Sequence, residues 1–249
     1  MVTFLFCISF VTVFSGLLRG SVSAEPRFYY MLLYHVYLIF STILEKVGRR
    51  CRKEVAKTMK NKIILVAGYP AAGKSTFSTA LSKHLKIPCF NKDIIREVMA
   101  YGFGIENEEF LNRDKKGSLT TFKLMLHTAE RLLQAGVPCI LESNFQVINP
   151  QQISEHEQIK NLLAKHNCEC LTFVFKGELD IISERYYNRD DERHWIHGKA
   201  VDKDAIKHYC IATRLGEFEI GQTVTVDTTS FAEVNYDDLF AIAEKFIES

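Results

Sequence analysis

No CxxC pair occurs in this chain, and its seven cysteines, at positions 7, 51, 89, 139, 168, 170 and 210, are odd in number. That spacing excludes paired zinc-ribbon ligands and gives no disulfide framework; Cys168-Glu169-Cys170 offers two thiols where a structural zinc takes four ligands. Reduced, mostly buried thiols are expected, with Cys168 and Cys170 on one face of a strand. Repeats and low-complexity linkers are missing as well. Nor is there a surplus of one charge, since 31 Lys and Arg meet 30 Asp and Glu. The balance hides two compositions. Up to Lys62 there are ten basic and three acidic residues, and beyond it twenty-one and twenty-seven. The acidic remainder lacks the broadly basic surface of a nonspecific nucleic-acid binder.

Long apolar runs occur only ahead of Met59. Residues 2–18 are mostly apolar and lead through Arg19 to the small-residue stretch Ser21-Val22-Ser23-Ala24, but no basic residue precedes them as a secretory signal requires. A second run, 28–44, is interrupted by His35 and is barely long enough to span a bilayer. Its basic flank, from Lys46 to Lys62, favours a cytoplasmic catalytic portion by the positive-inside rule. Met59-Lys60-Asn61-Lys62 also reads as a natural start of a soluble domain. Residues 1–58 are therefore expected to be an extension, read as an inner-face membrane anchor, as upstream translation absent from the working protein, or as a cleaved signal. Residues 59–249 are expected to be one domain.

Within that domain apolar runs alternate with amphipathic segments. The pattern predicts strands at 62–67, 87–90, 137–142, 169–175 and 222–227, and helices at 74–85, 93–103, 106–114, 119–135, 151–166, 202–213 and 235–247, with helical lid material over about 178–200. Gly136, Asn167, Gly177 and Gly221 mark turns. Runs such as Leu171-Thr172-Phe173-Val174-Phe175 suit a parallel sheet covered on both faces, so a doubly wound α/β fold is expected, with its ligands at strand ends near Gly68, Asn91, Glu142, Lys176 and Asp227.

The most specific motif follows the first strand. Gly68-Tyr69-Pro70-Ala71-Ala72-Gly73-Lys74-Ser75-Thr76 fits G-x-x-x-x-G-K-[ST], a phosphate-binding loop running into a helix. Gly68 and Gly73 permit turns that a Cβ opposes, and the backbone amides between them, through Ala71 and Ala72, converge on phosphate oxygens. Lys74 suits the β and γ phosphates, and the Ser75 hydroxyl suits Mg²⁺. The helix N-terminus favours the same anion. The chain is thus expected to bind a nucleoside triphosphate, ATP, with Mg²⁺.

Four further groups border the same sheet edge. In Asn91-Lys92-Asp93-Ile94-Ile95-Arg96, Asp93 can cap a helix or act on an acceptor hydroxyl, with Arg96 one turn on and Lys92 a nearby charge for phosphate or solvent. In Glu142-Ser143-Asn144-Phe145, Glu142 is placed for Mg²⁺ or its water, for the base role, or for a buried ion pair, and Asn144 for the loop or the substrate. Arg185, Arg189 and Arg193 recur every four residues, a cationic stripe that can close over phosphates, beside acidic neighbours that can equally neutralise it. His194 and His197 lack the companions of a zinc site and suit structural bonds or an acceptor phosphate; Trp195 suits lid closure or packing. Thr228 and Thr229 follow the last strand, where they either border the adenine or cap the turn at Asp227.

GYPAAGKST, Asp93-Ile94-Ile95-Arg96, Glu142-Ser143-Asn144-Phe145 and the Arg185/Arg189/Arg193-His194 segment with His197 together resemble the P-loop kinase-like family grouped as AAA_33, related in plan to zeta-toxin, chloramphenicol phosphotransferase and polynucleotide 5′-hydroxyl kinase enzymes. The resemblance covers about residues 60–247. It implies that Lys74 and Ser75 serve ATP and Mg²⁺, Asp93 the acceptor hydroxyl as base, Arg96 its orientation, and Arg185 and Arg189 the phosphates. Glu142 stands where relatives often carry Asp in an Asp-x-x-Asn-like unit. The expected reaction is transfer of the γ-phosphoryl group of ATP to a hydroxyl of a small-molecule or nucleotide-like acceptor. Alternatives are a nucleic-acid 5′-hydroxyl kinase and a nucleotide-gated regulatory module, and extended nucleic-acid binding is not expected.

Overall fold

The computed structural model describes residues 61–102, 116–149, 153–189 and 202–249, and in it the apolar run before the glycine-rich loop becomes the centre of a sheet. Strand β1 (Asn61–Gly68) is buried over six successive residues, as a strand must be when helices cover both its faces. Its parallel neighbours are β3 (Cys139–Glu142) and β4 (Cys168–Lys176), while β2 (Cys89–Asn91) and β5 (Gln222–Asp227) form the edges. The order is β2-β3-β1-β4-β5, every pairing parallel. From β1 the chain winds out to β2, and after β3 it crosses to β4. The winding direction therefore reverses at the β1–β3 pair, opening a crevice at the strands' carboxyl ends.

Two helical layers follow from the alternation of side chains along β1. Ile63, Leu65 and Ala67 pack with Phe122, Met125 and Ala129 of α3 (Lys116–Gln134) and Ile159 and Leu163 of α4 (Glu155–His166). Ile64 and Val66 face the other way, onto Phe77 and Leu81 of α1 (Lys74–Leu85), Ile182 of α5 (Leu179–Asn188) and Leu239 and Ala243 of α7 (Tyr236–Glu248). Helices α2 (Lys92–Gly102) and α6 (Lys203–Ala212) flank the crevice. The result is the expected three-layer, doubly wound arrangement.

All five strands end on the residues expected to open ligand loops. Among the boundaries that shift, two have a visible local reason. The second strand is Cys89–Asn91 rather than 87–90: its ladder opens with Ile140 N donating to the carbonyl of Pro88, which has no N–H of its own to give. Helix α4 starts at Glu155 because the Ser154 side chain accepts from Glu157 N and caps it there. Cys139 and Cys170 are buried thiols in the α3/α4 layer, with Cys168 packed against the same cluster. Among the described residues no helix is long and apolar enough to cross a membrane. The anchor expected over 28–44, like the helix over 106–114, lies outside the described residues.

Phe77 ties α1 to the sheet and to α7, its ring meeting Phe173, Phe175, Tyr236 and Phe240 at centroid distances of 5.1, 5.0, 5.3 and 5.8 Å. Phe77→Ala empties the middle of that layer and is expected to cost about 3–5 kcal/mol of unfolding free energy, read as a lower denaturant midpoint at an unchanged m value.

Candidate active site

At the end of β1 the backbone turns where a side chain cannot follow. Gly68 has φ 118°, and a Cβ on it would stand 1.9 Å from the carbonyl oxygen of Phe175. Tyr69 N donates to that same oxygen at 2.8 Å, so the loop is pinned to β4. Ala72 is fully buried beneath the loop, and Gly73, with φ 83°, turns the chain into α1. Pro70, Ala71, Gly73, Ser75 and Thr76 line a cavity of about 300 Å3. Gly68 and Ala72 shape its floor without reaching it.

Lys74 is only 6 % exposed. Its Nζ donates to Tyr69 O at 2.6 Å and to Asn144 Oδ1 at 2.8 Å. Burial pulls this ammonium down to about 8, with Glu142 and then Asp93 opposing the shift. Glu142, last residue of β3, is buried too, and its Oε2 accepts from Ser75 Oγ at 3.1 Å and from Asn91 Nδ2. Burial drives its carboxyl up to about 7, resisted chiefly by Lys74 and abetted by Asp93. The Ser75 hydroxyl and the Glu142 carboxylate thus form an oxygen pair beside the phosphate loop. Two protein oxygens fit Mg²⁺, which keeps most of its waters and takes few protein ligands.

Asp93 does not cap α2. Asn91 does, its Oδ1 accepting from Asp93 N at 2.7 Å and Ile94 N at 3.1 Å, which leaves the Asp93 side chain lining the cavity with Arg96. Lys92 reaches the same cavity with its ammonium on Oε1 of the buried Glu155. Glu155 Oε2 accepts from Gln146 N at 3.0 Å, so this ion pair also holds the loop after β3.

The arginine stripe divides. Arg189 follows the end of α5 and lines the cavity, close enough to bear on the charge of Lys74 and Glu142. Arg185 instead donates to the carbonyls of Thr228 and Thr229, the second at 2.6 Å, and lies 4.1 Å over the ring of Phe231, whose edge abuts Gly73. The Thr228 and Thr229 hydroxyls are engaged by Lys176 O and Glu178 N, so they brace the β5 loop. Arg193, His194, Trp195 and His197 lie outside the described residues. Sequence reasoning passed over Asn91 as a Glu142 partner, and Glu155, Gln146 and Tyr209 altogether; an Asn closing a strand before Lys-Asp was the one readable signal.

A family model described as an AAA domain, AAA_33, matches residues 63–209, more than half of the chain. The chain belongs to the AAA_33 family. Among solved structures it is similar to a protein from Chloroflexus aurantiacus described as a candidate kinase, at 26 % identity over 77 % of this chain and 98 % of that one, with a TM-score of 0.62. It is also similar to shikimate kinase from Bacteroides thetaiotaomicron, at 17 % identity, 75 % and 98 % coverage and a TM-score of 0.49, and to a sugar kinase from Janibacter sp., at 12 %, 76 % and 95 % with a TM-score of 0.47. No curated protein matches the chain. This AAA_33 chain has a P-loop kinase-like fold.

The charge pair at the centre of the site gives a pH signature. Because the Glu142 carboxyl is raised from 4.5 to about 7 in the folded chain, the native state holds more protons than the unfolded one between those values. Stability therefore falls as pH rises through that window, with a slope of at most about 1.4 kcal/mol per pH unit. Glu142→Gln is expected to flatten this dependence in denaturant titrations run in EDTA between about pH 5 and pH 7.

Proposed function

We propose that the chain is an ATP-dependent phosphotransferase that moves the γ-phosphoryl group to a hydroxyl of a small-molecule or nucleotide-like acceptor. The observation that carries this reading is the convergence of Lys74, Ser75, Glu142, Asp93 and Arg189 on one cavity. A triphosphate laid on the loop amides gives Lys74 the oxygen ligands that burial otherwise withholds. Asp93, at the head of the helix that Asn91 caps, orients the acceptor hydroxyl and takes its proton as the new O–P bond forms and ADP departs with the electrons of the broken one. Arg189 counters charge on the transferring group, and Arg96 holds the acceptor or Asp93. Ser75 and Glu142 would hold Mg²⁺, whose chemistry is to neutralise phosphate charge.

Arg185 has a different part in this reading. With both guanidinium ends on backbone carbonyls, it positions the Thr228-Thr229 loop beside the phosphate loop. Phosphate contact falls to Arg189.

The test is ATP-to-ADP conversion by the full chain with Mg²⁺ and a panel of sugars, nucleosides, antibiotics and 5′-hydroxyl oligonucleotides, with intact-mass detection of a product heavier by one phosphoryl group. Lys74→Ala is expected to abolish transfer. Asp93→Asn should lower kcat by about 100-fold or more while MgATP affinity changes little. ATP retention with no acceptor-dependent ADP across the panel would move the chain to the nucleotide-gated binding modules. Intact activity in Asp93→Asn would remove Asp93 from the chemistry.

A further inference from the structure

Both oxygens of Glu155 are taken. Oε1 receives the Lys92 ammonium and Oε2 accepts from Gln146 N at 3.0 Å, so the carboxylate leaves the lysine only by giving up the loop as well. Lys92, the first residue of α2, is held on a second side by the Phe122 ring, whose centroid lies 5.5 Å from Nζ. The side chains are 14 % exposed for Lys92 and 7 % for Glu155. A buried pair of this kind returns in attraction roughly what its desolvation costs, so stability alone gives little reason for it. Its place gives another. Both residues line the cavity, and Lys92 immediately precedes Asp93 on α2.

We propose that Glu155 sets acceptor specificity: by holding the charge of Lys92 it leaves the Asp93 side of the cavity without net charge and selects uncharged hydroxyl compounds over those carrying a carboxylate or phosphate. The proposal rests on the phosphotransfer reading above and specifies its substrate class. Among the described residues, that side is lined by two cations, Lys92 and Arg96, and two anions, Asp93 and Glu155, which cancel. The positive surplus sits with Lys74 and Arg189, whose charges act on the one carboxylate of Glu142 where the triphosphate is placed. An anionic acceptor approaching Lys92 has to share one ammonium with Glu155 and meets that carboxylate's repulsion in a wall that screens it poorly. A lysine bare of its partner is an anion clamp. With Glu155 on it, the same lysine belongs to a neutral wall that excludes by charge.

The full chain, its Glu155→Gln variant and the double variant Lys92→Met/Glu155→Leu are titrated with MgATP. Each is then assayed at fixed ionic strength for ADP and phosphorylated product with matched probes: D-glucose and D-gluconate, glycerol and D-glycerate, adenosine and adenosine 5′-monophosphate. In the wild type, kcat/KM is expected to be at least about tenfold higher for the uncharged member of the accepted pair. Glu155→Gln keeps an oxygen for Gln146 N and removes the charge, and it should move the anionic-to-uncharged ratio up about tenfold. The double variant removes both charges and should hold that ratio within about threefold of wild type, whatever the change in rate. A purely structural role for the pair lowers both members together and leaves every ratio where it was. The proposal is overturned by a wild type that prefers the anionic member, by an unmoved ratio in folded Glu155→Gln, by a double variant whose ratio departs from wild type, or by a folded, MgATP-binding wild type that phosphorylates none of the probes. If Glu155→Gln does not fold, the wild type and the double variant decide. A wild type that binds no MgATP is seen in the first titration, and it removes the phosphotransfer reading and this proposal together.

Discussion

A lysine ammonium withdrawn from water is the constraint around which the cleft is organised. Taking such a charge out of solvent costs several kcal/mol, and the two atoms that receive Lys74, the Tyr69 carbonyl and Asn144 Oδ1, are neutral. They replace its hydration only in part, as the downward displacement to about 8 records. Glu142 mirrors this on the anionic side, pushed up to about 7 although two donors reach it. A cavity that under-solvates both signs gains most from a ligand carrying both, and a metal-bound polyphosphate is such a ligand. Weak internal solvation is thus the form that preorganisation takes here.

That arrangement holds only if the backbone beneath it cannot relax. Gly68 is pressed against Phe175, Ala72 is sunk into the α1 layer, and Tyr69 places its hydroxyl where a Cβ on Gly216 would stand, 2.8 Å away. On the far side, the register sets Val66 and Asn91 opposite Glu142, so β2 and β3 end level while β1 runs two residues further, to Gly68. Asn91 then works twice, donating to Glu142 and capping α2 through the other end of its amide. One side chain therefore couples the Glu142 carboxylate to the helix that carries Asp93 and Arg96. The Asp93–Arg96 side of the cavity is fixed to the Ser75–Glu142 side through bonds, beyond mere adjacency.

Much of this was legible because it depends on local rules. A strand running into G-x-x-x-x-G-K-S reports loop and helix together, and all five strand ends were readable because buried parallel strands stop where polar, loop-forming residues begin. What escaped needed tertiary placement. Glu155 looks like an ordinary first-turn acid, and only the approach of α4 to α2 brings it to Lys92. Tyr209 sits on α6, 63 positions from Gln146 in the chain, and no periodicity signals their hydrogen bond. Asp93 carried both a capping and a chemical reading because spacing cannot show which of Asn91 and Asp93 turns its side chain back to the amides.

The arginines show why spacing also overstates. Four-residue recurrence puts Arg185 and Arg189 on one helical face, yet α5 ends at Asn188, and the two guanidiniums meet different surroundings. Arg185 is held edge-on by two carbonyls with its face on Phe231, a geometry suited to its planar fork and one a lysine would not reproduce. Arg189 points to the cavity, where its charge acts on Lys74 and Glu142. A stripe read as a single clamp is therefore two devices, one bracing the β5 loop and one delivering positive charge to the cleft. Because charge falls off with distance and screening while a braced loop does not, the two should separate under salt: contributions through Arg189 weaken as ionic strength rises, and those through Arg185 persist.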